Sequence, residues 1–228
     1  MTLPDPLGNI GWLQEAPADF RIAILDAATN KQFGINATIW QAGDTELGLI
    51  GIRSGSAGVL HAMAAPGTHF LHIVGPGNWT GEGPLLSGKP KTLTLVARTP
   101  VEAAIVSQHK IRALLGSRPD YWQQIGRLAL YNSLLVSVIA SDLMIPNSRQ
   151  RCAATLLRLA DCRFKGPRSA TAPVIAIAQE ELGAMVNLTR HTAGPILHGF
   201  AAAGLISLGY RTITIHDADA LRALADGD

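Results

Sequence analysis

The stretch 179–205, QEELGAMVNLTRHTAGPILHGFAAAGL, constrains this chain more than any other. Leu182, Met185 and Val186 put apolar groups on one face of a short helix. Gly183 leaves room for a second helix to cross closely. Asn187 and Leu188 break the pattern, and asparagine tolerates left-handed backbone angles. Thr189 is then placed to cap a new helix, its hydroxyl accepting an amide proton two or three residues on. Ala193, Ile196, Leu197 and Phe200 recur at three- and four-residue spacing and give that helix an apolar face. Arg190, His191, Thr192 and His198 remain for the other face. Two short helices joined by a tight turn, the second polar and basic at its start, describe a helix-turn-helix. An ordinary helical hairpin of a core has the same spacing. The run GLISLGYRTITIHD that follows reads as a two-stranded wing containing Arg211.

Charge distribution leans the same way. Net charge over 228 residues is only +2. The eight basic side chains of residues 146–211 (Arg149, Arg151, Arg158, Arg163, Lys165, Arg168, Arg190, Arg211) face three acidic ones, Asp161, Glu180 and Glu181. Phosphate binding wants such a local excess; a solvated surface has it too. With 47% hydrophobic and 16% charged residues, the chain can bury a sizeable core. Cys152 and Cys162 have no zinc or redox spacing and cannot hold an iron–sulfur centre. The start, MTLPDPLGNIGW, lacks a basic region followed by a long apolar run, so no signal peptide or membrane span is expected and a cytoplasmic location is.

In chain order, residues 17–28 predict a short entry helix. From Phe33 to about Ser107, short β-rich runs alternate with glycine and proline turns, the pattern of a small antiparallel sandwich or barrel. Turns are expected at 41–44 and 54–56. Trp40, Phe70, Ile73, Leu95 and Val106 read as core. Ser107 is placed to cap a helix, and Arg118-Pro119-Asp120 opens the longest helical run, to about Leu143. Along it Ile125, Ala129, Asn132, Val136, Ile139 and Leu143 fall at alternating steps of four and three, a coiled-coil seam with one polar position that can fix register. A buried helix of a monomer is the alternative. Leu128, Leu135 and Val138 lie on neighbouring faces. Pro146-Asn147-Ser148 is a break, residues 149–162 a further helix, and FKGPRSATAP a polar loop.

In this order the parts resemble the Crp/Fnr family of bacterial transcription regulators. Three stretches carry the resemblance: IWQAGDTELGLIGIRSGSAGVL, GPGNWTGEGPLLSGKPKTLTLVA, and QEELGAMVNLTRHTAGPIL with its wing. It implies an α+β chain: an N-terminal antiparallel β-roll or jelly-roll effector domain at 1–117, a dimerisation helix at 118–145, and a winged helix-turn-helix domain at 146–228. The second stretch is similar to the phosphate-binding cassette of cyclic-nucleotide domains. There a glycine-rich turn exposes amides, a short helix points its positive end at phosphate, a carboxylate accepts from ribose hydroxyls and a cation neutralises the phosphate. The matching positions are Gly81, Glu82, Lys91 and Thr92, with Ser137 on the long helix. This chain has Lys-Thr where the family's nucleotide binders have Arg followed by Ser or Thr. Gly83-Pro84 replaces an apolar-small pair, and Val136 stands where a base-contacting threonine is usual. Lysine has no bidentate fork, Pro84 lacks an amide donor and valine cannot hydrogen-bond. These departures speak against cyclic AMP and leave the effector unnamed. No cysteine cluster stands near the N-terminus, and no histidine among His61, His69, His72 and His109 is singled out as a haem ligand.

The resemblance further implies a homodimer on a pseudo-palindromic duplex, with RNA polymerase as partner if the factor activates. DNA contacts are expected from Thr189, Arg190, His191, Thr192, His198 and Arg211. Arg190 supplies a fork that fits guanine O6 and N7. His191 and Pro195 depart from the family's usual glutamate and arginine, and Gly194-Pro195 is expected to bend or delay the reading helix. Ala178 leaves the first helix without a hydroxyl cap. A regulatory module acting through protein contacts is the competing class. An enzyme is not expected, because the chain shows no nucleophile–base spacing, metal motif or P-loop.

Overall fold

The computed structural model describes residues 5–46, 48–62, 68–163 and 172–227. The polar run at 164–173, with Lys165 and Arg168, lies mostly outside them. The chain forms two compact units, Met1–Leu135 and Val136–Asp228.

The first unit opens with α1 (Pro6–Asn9), a 3₁₀ turn at Trp12–Glu15 and α2 (Ala18–Ala27). Asp5 caps α1 by accepting from the Leu7 amide. The sequence signalled α2 but not the two short elements before it. Eight antiparallel strands follow: β1 (Thr29–Phe33), β2 (Thr38–Trp40), β3 (Leu49–Ser54), β4 (Ala57–Ala62), β5 (Thr68–Val74), β6 (Trp79–Thr80), β7 (Thr94–Ala97) and β8 (Val101–Val106). They form two four-stranded sheets, ordered β1-β8-β3-β6 and β2-β7-β4-β5. The expected β-roll is therefore present, and it starts earlier than Phe33. Strand β1, TNKQF, is polar because it is an edge with four exposed residues.

One core lies between the sheets and a second on the outer side of the first. Ile50, Ile52, Val101 and Ala103 join Ile39, Trp40, Leu95 and Ala97 in the inner core. Leu49, Ala104 and Val106, of opposite parity, pack instead with Leu7, Trp12, Leu13, Phe20 and Ile24. Burial on both faces explains why β8 reads VEAAIV, without the alternation of a half-buried strand. Trp12 meets Phe20 and Trp79 edge-on, at centroid distances of 5.7 and 6.1 Å.

After α3 (Gly83–Ser87) in the β6–β7 connection and α4 (Gln108–Ser117), capped by Ser107 as expected, the chain enters α5 (Trp122–Met144). Ile125 and Leu128 are wholly buried in the outer core, and the Trp12 indole donates to the Gln124 carbonyl at 2.8 Å. This corrects the N-terminal half of the seam expected from the sequence, while Val136 and Leu143 of that seam stay exposed. Ile125 belongs to its own unit's core, and Asn132 bonds within that unit. Among the open apolar side chains of α5 are Leu130, Leu134, Val136 and Leu143, each 42–62% exposed. By length and composition Pro119–Met144 could cross a bilayer, and 11% of its apolar window is buried. Both ends are nevertheless built into protein, Ile125 in the first unit and Asp142 in the second.

In the second unit α5 ends at Met144, and α6 (Ser148–Leu159) starts under an Asn147 cap that accepts from the Arg149 and Gln150 amides. Asp142 and Arg158 make a buried pair at 2.9 Å, each side chain 3% exposed, and Arg163 joins from 3.4 Å. Next come β9 (Val174–Ile175), α7 (Gln179–Met185), α8 (Arg190–Ala202), β10 (Ile206–Gly209), β11 (Thr212–Ile215) and α9 (Ala218–Asp226). The wing has three strands, ordered β10-β11-β9, where the sequence signalled two. The two-residue β9 is too short to show a period, and α9 was not foreseen either.

Candidate nucleic-acid interface and effector pocket

The helix-turn-helix is built as its residues require. Leu182, Met185 and Val186 are buried, as are Ala193, Leu197 and Phe200 of α8. Asn187 takes φ +54° in the turn. A Cβ on Gly183 would come within 3.2 Å of the Leu188 carbonyl and 3.4 Å of Ala193 Cβ, so the crossing is too close for a larger residue to enter without a shift. Thr189 caps α8, its hydroxyl accepting from the Thr192 amide at 3.3 Å. On α7 the missing hydroxyl cap is replaced from the third helical position, where Glu181 Oε2 accepts from the Ala178 amide at 2.8 Å.

Thr189, Arg190, His191, Thr192 and His198 are all exposed. Thr189 to Thr192 crowd the first turn of α8, and His198 stands about two turns further along. Unpaired amides and the helix dipole make that end attractive to phosphate. Pro195 does not delay the helix, which begins at Arg190 and is continuous through it.

The basic excess counted from the sequence proves to be largely engaged. Arg151 donates to the carbonyls of Val186, Ile145 and Pro146. Arg158 and Arg163 pair with Asp142, and Arg163 also with Asp226. Arg149 lies over the Phe200 ring, 5.2 Å from its centroid. Arg211, expected as a DNA contact of the wing, donates to Glu181 Oε1 at 3.3 Å and remains half exposed. It ties the wing to the residue that caps α7. Arg190 is left as the exposed cation of the reading helix.

In the first unit, Gly81 has φ +107°, and a Cβ there would sit 2.3 Å from the Gly48 carbonyl oxygen. Only glycine makes this turn. Glu82 follows as the residue preceding α3, which is five residues long with Pro84 in its first turn. Lys91 is 6% exposed, and its ammonium lies 4.1 Å from the centroid of the Trp40 ring. Burial lowers the lysine to about 8, against the opposing fields of Glu82 and Asp44. The turn at 41–44 is tied to it, Gly43 donating to the Lys91 carbonyl and Lys91 to that of Asp44. Trp40 therefore covers the Lys91 ammonium as well as joining the core. Thr92 is exposed. Ser137 stands on the part of α5 that belongs to the second unit.

Among the described residues, the buried atoms Lys91 Nζ, Glu82 Oε2 and Trp40 Nε1 have no hydrogen-bond partner. An unsatisfied buried charge is costly. A ligand that offers an acceptor to the ammonium and a donor to the carboxylate would satisfy both. An open depression of about 480 Å³ at Gly43, Asp44, Thr45 and Glu46 carries two carboxylates and suits an anion poorly. His61 and His69 are cross-strand neighbours on β4 and β5. The described residues contain no group of three or more His, Cys, Asp or Glu that could hold a metal ion.

Sequence reasoning missed three contacts here: Asn132 on Glu82, Trp40 on Lys91, and Asp142 on Arg158. All join residues far apart in the chain or on successive helices, and no local motif announces them.

Comparison with known proteins matches residues 30–118 to the family described as the cyclic nucleotide-binding domain, and residues 150–224 to the Crp-like helix-turn-helix domain. The chain is 28% identical over 199 residues to the Cyclic AMP receptor protein of Thermus thermophilus, covering 83% of this chain and 84% of the relative. It is 29% identical over 184 residues to the cAMP-activated global transcriptional regulator CRP of Pasteurella multocida, covering 79% and 86%. A CRP-family transcriptional regulator of Thermus thermophilus superposes with a TM-score of 0.67 at 24% identity, covering 86% of this chain and 96% of that one. The c-di-GMP responsive global regulator CLP of Xanthomonas campestris superposes with a TM-score of 0.65 at 22% identity, covering 88% and 100%.

Proposed function

The chain belongs to the Crp/Fnr family of transcription regulators, and we propose that it acts as a cytoplasmic homodimer that reads a pseudo-palindromic operator through α8. The observation that carries this reading is the division of α8, with Ala193, Leu197 and Phe200 buried and Thr189, Arg190, His191, Thr192 and His198 exposed. Arg190 has the fork for a guanine edge, and Arg211 stiffens the wing while keeping part of its guanidinium open. The apolar side chains of α5 supply the dimer surface, and RNA polymerase is the further partner of an activating form. The division into a sensor at 1–117, a dimer helix at 118–145 and a DNA-binding domain at 146–228 belongs to the same reading.

The effector site consists of Gly81, Glu82, Lys91 and Thr92 of the first unit. Its ligand is an anion with a hydroxyl other than cyclic AMP. Lysine in place of arginine, Pro84 in α3 and Val136 at the base-contacting position support that choice. Similar proteins are themselves named for different nucleotides, cyclic AMP in one case and c-di-GMP in another.

The test is selection of a duplex from a random pool, then titration at several salt concentrations. A selected two-fold sequence bound with a steep inverse dependence on salt supports the reading. Equal, weak binding of all duplexes would favour a module that acts through protein contacts. Calorimetry showing sub-micromolar cyclic AMP that also raises DNA affinity would overturn the choice of ligand.

A further inference from the structure

The two carboxylate oxygens of Glu82 are in different circumstances. Oε1 accepts from the Asn132 side-chain amide at 2.9 Å. Oε2 is buried and meets no donor among the described residues. Asn132 also donates to the Trp79 carbonyl at 3.4 Å. One amide on α5 therefore fixes both the acidic side chain of the cassette and the strand that leads into it. Lys91 Nζ and Trp40 Nε1 are the other buried polar atoms there without a partner among the described residues.

We propose that Asn132 is the positioning residue of the effector site: it holds Glu82 by Oε1 so that Oε2, with the Lys91 ammonium, faces a ligand carrying an anionic group and a hydroxyl, and it carries occupancy of Glu82 to α5. This rests on the sensor reading above. The terminal torsion of a glutamate is broad, and an unheld carboxylate samples many orientations. A bond to one oxygen removes that freedom and selects which oxygen is presented. A ligand hydroxyl that donates to Oε2 competes for the charge that Oε1 offers Asn132, so ligand and α5 share one acceptor group. Val136, one turn further along α5, is apolar and 62% exposed and cannot serve.

The experiment compares Asn132→Ala, Glu82→Ala and the double variant, effector-free and as full chains, by DNA titration and thermal unfolding. Each single change is expected to shift DNA affinity by about 5-fold or more. If the pair acts as a unit, the double variant matches the stronger single variant within about 2-fold; independent residues would multiply their effects. Asn132→Asp is the second arm. It keeps the shape and sets a carboxylate against Glu82, so the two must share a proton. Its Tm is expected below that of the unchanged protein at pH 7 and to recover toward pH 5, where the introduced carboxyl, once protonated, can donate to Glu82. Lys91 and Asp44 also face this region, so both proteins are scanned over the same window, below the titration of Lys91. A purely steric role predicts no recovery, because the shape is the same at every pH. Additive single effects, or an Asn132→Asp deficit that does not depend on pH, would overturn the proposal. If no form of the protein binds any duplex, the DNA-regulator reading fails instead, and the thermal arms still decide the role of Asn132.

Discussion

Two cations of this chain do opposite things because their surroundings differ. Arg190 is exposed on the first turn of α8 and is open to a base edge. Arg190→Ala is expected to weaken the selected operator by about 1–3 kcal/mol and random duplex far less, as read by parallel titrations. An unchanged ratio between the two would mean that α8 is not docked as proposed. Lys91 is a cation that the fold keeps from water. Its folded-state value, lowered to about 8 from 10.5, means that the folded protein binds fewer protons than the unfolded chain between those limits. Stability therefore rises with pH across that window, and the whole cost of the buried charge is present below it. Lys91→Met is expected to be more stable than the unchanged protein at pH 7, by about 1–3 kcal/mol, with the advantage shrinking toward pH 10. Calorimetric Tm values at the two pH values check this, and a lower Tm for the variant at pH 7 would contradict it.

Among the elements, α5 carries the most conflict between local pattern and use. Its apolar positions point in more than one direction, since Ile125 and Leu128 fill a core of the first unit while Leu130, Leu134 and Val136 remain open. Val136→Glu places a charge on the open side without touching that core. It is expected to turn a dimer into a monomer at micromolar concentration in sedimentation, with the secondary structure unchanged by circular dichroism. A variant that stays dimeric would remove α5 as the contact. The last turn of α5 is held differently. Asp142 anchors Arg158 of α6 and Arg163 beyond it in a site that excludes water. Breaking such a buried pair from one side is costly, about 3–5 kcal/mol. Asp142→Asn is therefore expected to lower the unfolding midpoint of the second unit in denaturant, and no change would show that the pair contributes little.

For the whole molecule, two-fold symmetry sets a length that no single chain contains. A dimer that presents two α8 helices to one face of B-DNA meets successive major grooves about 34 Å apart. Operators recovered by selection are expected to carry half-sites whose centres are separated by about ten base pairs or a multiple. Inserting about five base pairs between them, half a helical turn, puts one half-site on the far side of the duplex. That insertion is expected to reduce affinity to the level of a single half-site. Binding that tolerates it would point to independent monomers.

The sequence by itself determined what depends on neighbours along the chain. The period of Ala193, Ile196, Leu197 and Phe200, the Asn187 turn and the Thr189 cap were legible because helix faces and caps are set within a few residues. So were the Ser54-Gly55-Ser56 turn and the runs on either side of it. The polar edge strand β1 and the two-residue β9 escaped, because they are defined by partners far away, whereas the helices at the two ends carry local caps, Asp5 and Asp217, and were legible in principle. Only the tertiary structure decided which face of α5 is open, since a step of three or four residues fits a core and a partner helix equally well. It alone moved Asn132 from an expected seam onto Glu82, closed Arg211 onto Glu181 and sealed Lys91 beneath Trp40. In each case the deciding quantity is the burial of a polar group and the nearest atom able to satisfy it, which composition and spacing do not contain.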